Sequence, residues 1–438
     1  CVGAHALGSM LGPSRWTPLA TWAFGLSLLA FKEYGAERLT FEALLGPTLG
    51  RALDALPQAY DWHQSLNFLA LRLISFNMDW HWALRASRSE ASVFHNGDGE
   101  VLTYKVREVR HRPLEDYSLV NCLAYVFYPP LWLAGPTMTF NAFASHLHDR
   151  PQETYGPRRL ALYGARLVVC LAMLELVLHA APVFALGRSG VYKQLLQPGR
   201  AVDMPALFGF VTLNVMWFKF LVIWRFARLW ALCDGVECVE NMQRCINNNF
   251  SIIGFWKGWH ASFNRWLVRY LYLPLGGRSW RWANVWVVFA FVAAWHDAEA
   301  KLLAWGLLNA AFLALEHVAR SAWQSQRLAP LRARPELARC TAAGAGAAYV
   351  FVMLFVNLVG YGVGIGGTSQ LTSGAFLGGA SGVQTLFGAY IVFLSGAQVM
   401  LELRSCGLCE EGSSTGTPKP HCPIGFSTDN AVCKYRGA

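Results

Sequence analysis

The sequence has 438 residues, 54% of them hydrophobic and only 15% charged, against about 25% charged in a typical soluble chain. That excludes a water-facing globular enzyme, because the apolar residues gather in blocks of roughly 15 to 25, the length at which a helix crosses the hydrocarbon slab of a bilayer. The net charge of +10 would suit nucleic acid, but the Lys and Arg residues lie in short loops flanking the blocks. That placement suits lipid headgroups and topology setting, so a membrane and no nucleic acid is expected.

The chain starts at Cys1 with no basic region ahead of a short apolar run, which reads as a fragment lacking its natural N-terminus. Apolar blocks follow at 17–31, 64–82, 118–135, 160–186, 205–232, 283–296, 302–319, 342–366 and 384–403, giving about eight or nine membrane-embedded segments. Asn77 and Asp79 in the second block, and Arg225, Arg228 and Asp234 in or beside the fifth, are costly in lipid, so pairing between helices is expected. Asn96-Gly97-Asp98-Gly99 predicts a small hairpin. In YPPLWLAGP the residues Pro129, Pro130, Gly135 and Pro136 open backbone groups that lipid cannot satisfy, which predicts a broken or re-entrant segment buried in protein.

Residues 255–275, FWKGWHASFNRWLVRYLYLPL, place Trp256, Trp259, Phe263, Trp266, Leu267, Tyr270 and Leu271 at three- and four-residue spacing. This predicts an amphipathic helix, interfacial by composition and stopped by Pro274, Gly276 and Gly277. His260 and Asn264 stand four apart on one side of it, with Lys257, Arg265 and Arg269 elsewhere. The next block, ANVWVVFAFVAAW, reaches only about 20 Å as a helix before meeting His296, Asp297, Glu299 and Lys301. At membrane depth that cluster makes His296 a functional group; at the interface it is a tight turn.

The 11 cysteines are scattered and predict no disulfide framework. Cys406, Cys409, Cys422 and Cys433, with His421 nearby, admit a zinc site, but the ordinary reading is a loose tail and no metal is expected. The fold class expected is therefore an all-α integral membrane protein, a multi-span helical bundle with broken or re-entrant segments and an amphipathic interfacial helix. Its organisation reads as an N-terminal span and loop over 1–63, a catalytic core over 64–320, C-terminal transmembrane helices over 321–403 and a Cys-containing tail over 404–438.

WKGWHASFNRWLVRYLYLPLGG, followed by FVAAWHDAEAKLLAWGLLN, closely resembles the core of membrane-bound O-acyltransferases, in the branch named for the glycerol uptake protein of fungi. Hedgehog acyltransferases are cousins of that branch. Upstream, LRLISFNMDWHW, LAYVFYPPLWLAGPTMTFNAF and WFKFLVIWRFARLWALCDGVECVENMQRCINNNFSIIGFW resemble it in order and spacing, so the likeness covers about residues 64–320. The resemblance implies His296 and His260 as catalytic residues, acyl-CoA as donor and no cofactor required for catalysis. It also implies a lipid acceptor, a lysophospholipid or the lyso-lipid of a glycosylphosphatidylinositol anchor during remodelling, and a multi-pass place in the endoplasmic reticulum membrane.

The chemistry fits these residues. A lipid hydroxyl needs a base as it attacks a thioester, and neutral His296 is suited to that; the oxyanion needs a donor, from His260 or Asn264. Lys257, Arg265 and Arg269 are candidates for the CoA phosphates by charge, and Trp256 and Trp295 for the acyl path. Cys245 stands where Hedgehog acyltransferases bind haem through a thiolate, so the resemblance makes haem there an option. Those cousins carry Asp at the place of His260, which argues against the first rival, a protein acyltransferase. The second rival is a non-enzymatic transporter or regulator linked to glycerol uptake; transporters show paired broken segments, and the sequence has no such duplication.

Overall fold

The computed structural model describes residues 1–35, 40–55, 62–88, 103–149, 151–189, 203–377 and 379–405. The predicted hairpin at Asn96 and the tail cysteines fall outside them. Helices arise where the apolar blocks lie. Those the argument uses are α1 (Val2–Leu11), α2 (Thr17–Tyr34), α3 (Trp62–Arg88), α4 (Leu119–Phe127), α5 (Pro129–Leu133), α6 (Phe140–His148), α7 (Pro157–Ala180) and α8 (Asp203–Cys233). After them come α9 (Ile252–Gly258), α10 (Ala261–Leu267), α11 (Arg281–His296), α12 (Ala300–Trp323), α13 (Pro335–Asn357), α14 (Gly364–Leu377) and α15 (Gly379–Ser405). Every element among the described residues is helical.

Among those residues, five stretches are long and apolar enough to cross a bilayer: Pro157–Ala180, Ala206–Cys233, Ala300–Trp323, Pro335–Gly362 and Gly382–Leu403. Three of the other four blocks depart from that pattern for visible reasons. The 16-residue α11 is short, and the 118–135 block is cut at Tyr128. The 27-residue α3 buries Arg72, Asn77 and Asp79 in the protein interior.

Two compact units make up the chain. One comprises residues 1–181, 215–243 and 257–307, the other 182–214, 244–256 and 308–438. Within the first, the predicted break at the prolines is resolved by α3. Pro129 and Pro130 lack the N–H groups that would bond the carbonyls of Tyr125 and Val126 four residues back. The buried Arg72 guanidinium donates to both carbonyls, at 3.1 Å for Tyr125. A cation inside the bundle thus supplies what neither proline nor lipid can.

The same helix receives the start of α6. The first N–H groups of a helix have no internal acceptor, and here Ser75 Oγ takes Phe140 N–H at 3.0 Å, Asp79 Oδ2 takes Asn141 N–H at 3.1 Å and Thr139 Oγ1 takes Ala142 N–H at 3.2 Å. Asp79, fully buried, is paired with Arg269 at 2.8 Å. Arg228 and Arg225 lie against Glu240 at 3.5 and 3.7 Å, and Asp234 accepts from Tyr128. The expected ion pairing therefore holds for Asp79, Arg225 and Arg228, while Asp234 is met by a tyrosine hydroxyl.

In the second unit, α13 packs on α15 through small residues, Ala343, Ala347 and Ala397 being fully buried. A Cβ on Gly346 would meet that of Ala397 at 3.3 Å, so the helices approach closely. Glu316 on α12 is fully buried and accepts from Arg320 at 2.7 Å and from the Ile253 N–H of α9 at 3.0 Å.

Candidate active site

The stretch expected to form one amphipathic helix over 255–275 is instead broken before Ala261. In a continuous helix Ala261 N–H would bond the Lys257 carbonyl and Ser262 N–H the Gly258 carbonyl. Here Ala261 N–H goes to the Asn241 carbonyl at 3.1 Å, Ser262 N–H to Asn241 Oδ1 at 3.1 Å, and the Gly258 carbonyl takes Gln243 N–H at 3.1 Å. The backbone between them turns left-handed at His260, with φ 45° and ψ 48°, the only non-glycine residue at positive φ among the described residues. A side chain other than glycine tolerates this only where its surroundings impose it. Beyond the break, Phe263, Trp266, Leu267, Tyr270 and Leu271 are buried in protein rather than spread at an interface.

The turn drives the His260 ring into an aromatic box. It stacks on Trp224 of α8 at 4.5 Å between centroids and 19° between planes, and lies 5.1 Å from Phe263 and 6.3 Å from Trp295. His260 is 9% exposed, and its Nε2 finds no hydrogen-bond partner among the described residues.

The second histidine closes α11. Asp297 leaves helical geometry with φ −168° and ψ 150°, so α11 stops at His296 and α12 resumes at Ala300. The His296 carbonyl accepts from Lys32 Nζ of α2 at 3.1 Å and from Asn67 Nδ2 of α3 at 3.5 Å. Lys32 also pairs with the Asp297 carboxylate. The His296 imidazole packs on Trp295 at 4.7 Å and on Trp305 at 6.0 Å, both edge-on. Trp295 is fixed between the two histidines: Nε1 donates to the Asn67 carbonyl at 3.0 Å, and its ring lies 4.5 Å from Phe263.

Two imidazoles, each at a helix break, thus share one buried tryptophan. The other sequence candidates are placed as follows. Asn264 is half-buried in α10, and its N–H bonds the His260 carbonyl at 3.0 Å. Arg265 faces the Glu108 carboxylate, with Nε at 3.2 Å from Oε1, and covers the Tyr104 ring. Arg269 bonds Asp79 and lies 4.9 Å above the Trp82 ring. Lys257 is exposed. Trp256, in the second unit, donates to Asn309 Oδ1 at 3.2 Å. Sequence reasoning missed Lys32, Asn67, Trp224, Asn241 and Trp305. Of these, Asn67 carried a signal, a polar residue inside an apolar block.

The surroundings of Cys245 do not fit a haem thiolate. Its neighbours are Asn247, Asn248 and Asn249, the Cys245 carbonyl accepting from Asn248 N–H at 2.9 Å and Asn249 Nδ2 at 3.2 Å. Burial pushes the thiol up, against a smaller opposing pull from the Asn247 and Asn248 N–H groups, and so away from the thiolate that iron needs.

These features can be set beside known proteins. The family model for membrane-bound O-acyltransferases matches residues 53–358. The chain is 38% identical over 404 residues to Membrane-bound O-acyltransferase gup1 of Schizosaccharomyces pombe, covering 91% of this chain and 67% of that protein. It is 33% identical over 423 residues to GUP1 of Saccharomyces cerevisiae, covering 92% and 69%. To Protein-cysteine N-palmitoyltransferase HHAT of Mus musculus it is 29% identical over 196 residues, covering 43% and 38%. The chain spans about two thirds of the length of the fungal proteins. With the family match running through both helix breaks and their histidines, the chain belongs to the membrane-bound O-acyltransferases, a family of acyltransferases embedded in the membrane.

Proposed function

We propose that this chain moves a fatty acyl group from acyl-CoA to a hydroxyl of a membrane lipid, a lysophospholipid or the lyso-lipid of a glycosylphosphatidylinositol anchor, in the endoplasmic reticulum membrane. The observation that carries this reading is the approach of His260 and His296 to one buried tryptophan, with His260 Nε2 left without a partner. A hydroxyl is a weak nucleophile at its own pKa. His296 takes its proton as the oxygen bonds to the thioester carbon. The carbonyl pair moves onto oxygen, and the buried His260 Nε2 suits donation to that charge. Return of the pair breaks the C–S bond, and CoA departs as a thiolate that takes up the proton His296 removed.

Trp295 supports the acyl path, since it walls both imidazoles and is itself held by Asn67. For the CoA phosphates, exposure favours Lys257 over the half-buried Arg265 and Arg269. A hydroxyl acceptor is favoured over a protein amine by extent of similarity, the fungal relatives being named O-acyltransferases. The fungal relatives match nine tenths of the chain, the N-palmitoyltransferase less than half.

The test supplies labelled acyl-CoA and lysophosphatidylinositol to the purified chain and its His296→Ala variant. Removing a general base is expected to lower kcat by about 100- to 10,000-fold with the unfolding midpoint unmoved. Equal labelling by both would make His296 a packing residue only.

A further inference from the structure

The residues that hold the His260 turn carry more polar capacity than the turn consumes. Asn241 accepts twice, through its carbonyl from Ala261 N–H and through Oδ1 from Ser262 N–H, both at 3.1 Å. The Ser262 hydroxyl in turn accepts the Thr137 N–H at 2.8 Å. Thr137, Asn241 and His260 are thereby knotted around Ser262, all of them buried, Asn241 completely. Yet each has a side-chain atom without a partner among the described residues: Thr137 Oγ1, Asn241 Nδ2 and His260 Nε2. Buried polar groups are normally bonded, and three exceptions on one knot call for a common explanation.

The chemistry of the unpaired atoms narrows it. An amide NH2 only donates, and a hydroxyl can donate, so the missing partner is an acceptor, as a carbonyl oxygen is. The Asn241 amide is also unable to swing away, because its other end is locked on Ser262 N–H. A fixed donor in a site closed to water is what stabilises charge that appears during a reaction.

We propose that Asn241 Nδ2, assisted by the Thr137 hydroxyl, donates to the carbonyl oxygen of the acyl thioester and to the oxyanion it becomes, making Asn241 a further catalytic residue beside His260. This deepens the acyl-transfer reading and rests on it. The donated hydrogen bonds follow the carbonyl pair as it moves onto oxygen when the acceptor attacks, and they loosen when the pair returns and the C–S bond breaks.

The experiment uses the full chain with labelled acyl-CoA and lysophosphatidylinositol, comparing Asn241→Asp and Thr137→Val with the unaltered protein. Asn241→Asp keeps the shape and the oxygen that holds Ser262 but exchanges the donor for a carboxylate. Its kcat is expected to fall by about 100- to 1,000-fold, with KM for acyl-CoA little changed, since the bond tightens in the transition state. Activity relative to the unaltered protein at the same pH should climb again as pH falls, because a protonated carboxyl donates. Thr137→Val should show a smaller loss in kcat. A folded Asn241→Asp with unaltered kcat, or with a loss that acid does not relieve, overturns the proposal and leaves the knot structural. Should Asn241→Asp fail to fold, Thr137→Val decides alone, and an unchanged kcat there overturns it. An unaltered chain that transfers no acyl group to any acceptor sinks the acyl-transfer reading itself, and this inference with it.

Discussion

The two helix breaks that hold the imidazoles are built on different principles. At His260 the clamp is neutral and near in sequence: Asn241 and Gln243 take the backbone groups that a continuous helix would have paired internally. At His296 the clamp is charged and distant, the Lys32 ammonium reaching a carbonyl 264 residues away while Asp297 balances its charge. In both, backbone groups at the break bond partners from other segments, as buried peptide groups require. A break in a buried helix is tolerated where another segment replaces its hydrogen bonds, and the replacement fixes the side chain beside it. The neutral clamp does this by imposing a strained φ, the charged one by capping a helix end.

A buried ion pair lies just beyond the first break. Arg269 and Asp79 have side chains 15% and 0% exposed, and Asp79 also takes the Asn141 N–H. Arg269→Met strands that carboxylate and is expected to lower stability by about 3–5 kcal/mol, read as the unfolding midpoint in a denaturant series. If stability holds and KM for acyl-CoA rises instead, Arg269 serves the CoA phosphates as its charge alone suggests, and the ion pair is incidental.

The charged clamp at the second break should weigh less, because the Asp297 side chain is 50% exposed while that of Lys32 is 10% exposed. Lys32→Met removes a donor to the His296 carbonyl, leaving Asn67 at 3.5 Å as the remaining one shown. A loss of about 1–3 kcal/mol in stability is expected, together with a kcat about tenfold lower if the imidazole is displaced by the equivalent of about 1.4 kcal/mol. Unchanged kcat and midpoint would show that Asn67 holds the break by itself, and the contrast between the two clamps would lose its charged half.

Much of the architecture was legible in the sequence, and the parts that were not share a cause. Apolar blocks announced helices because burial in hydrocarbon is written in composition, and YPPLWLAGP announced a break because proline cannot donate. What filled that break, Arg72, was not legible, since nothing local ties residue 72 to the carbonyls of 125 and 126. The histidines at 260 and 296 stood out through their motifs. The turn at His260 did not: three- and four-residue spacing from Trp256 to Leu271 fits an unbroken helix, and only Asn241 and Gln243, pairing from upstream, reveal that it is cut. Lys32 was hidden at the end of an apolar block, where a lysine ordinarily means an interface.

The neutral clamp permits the finest test, because the left-handed turn and the imidazole can be separated by choice of substituent. Both His260→Gly and His260→Ala delete the ring and should abolish most acyl transfer. They differ in backbone cost. Alanine at φ 45° meets the steric penalty of the left-handed region, about 1–2 kcal/mol, which glycine escapes. Part of that advantage is offset by the greater freedom of glycine in the unfolded chain, about 0.4–1 kcal/mol. His260→Gly should therefore unfold later than His260→Ala by the equivalent of about 1 kcal/mol, despite losing one more carbon from a packed box. Equal midpoints would mean that the turn relaxes once the ring is gone, so that Trp224 stacking and not the Asn241 clamp imposes the conformation.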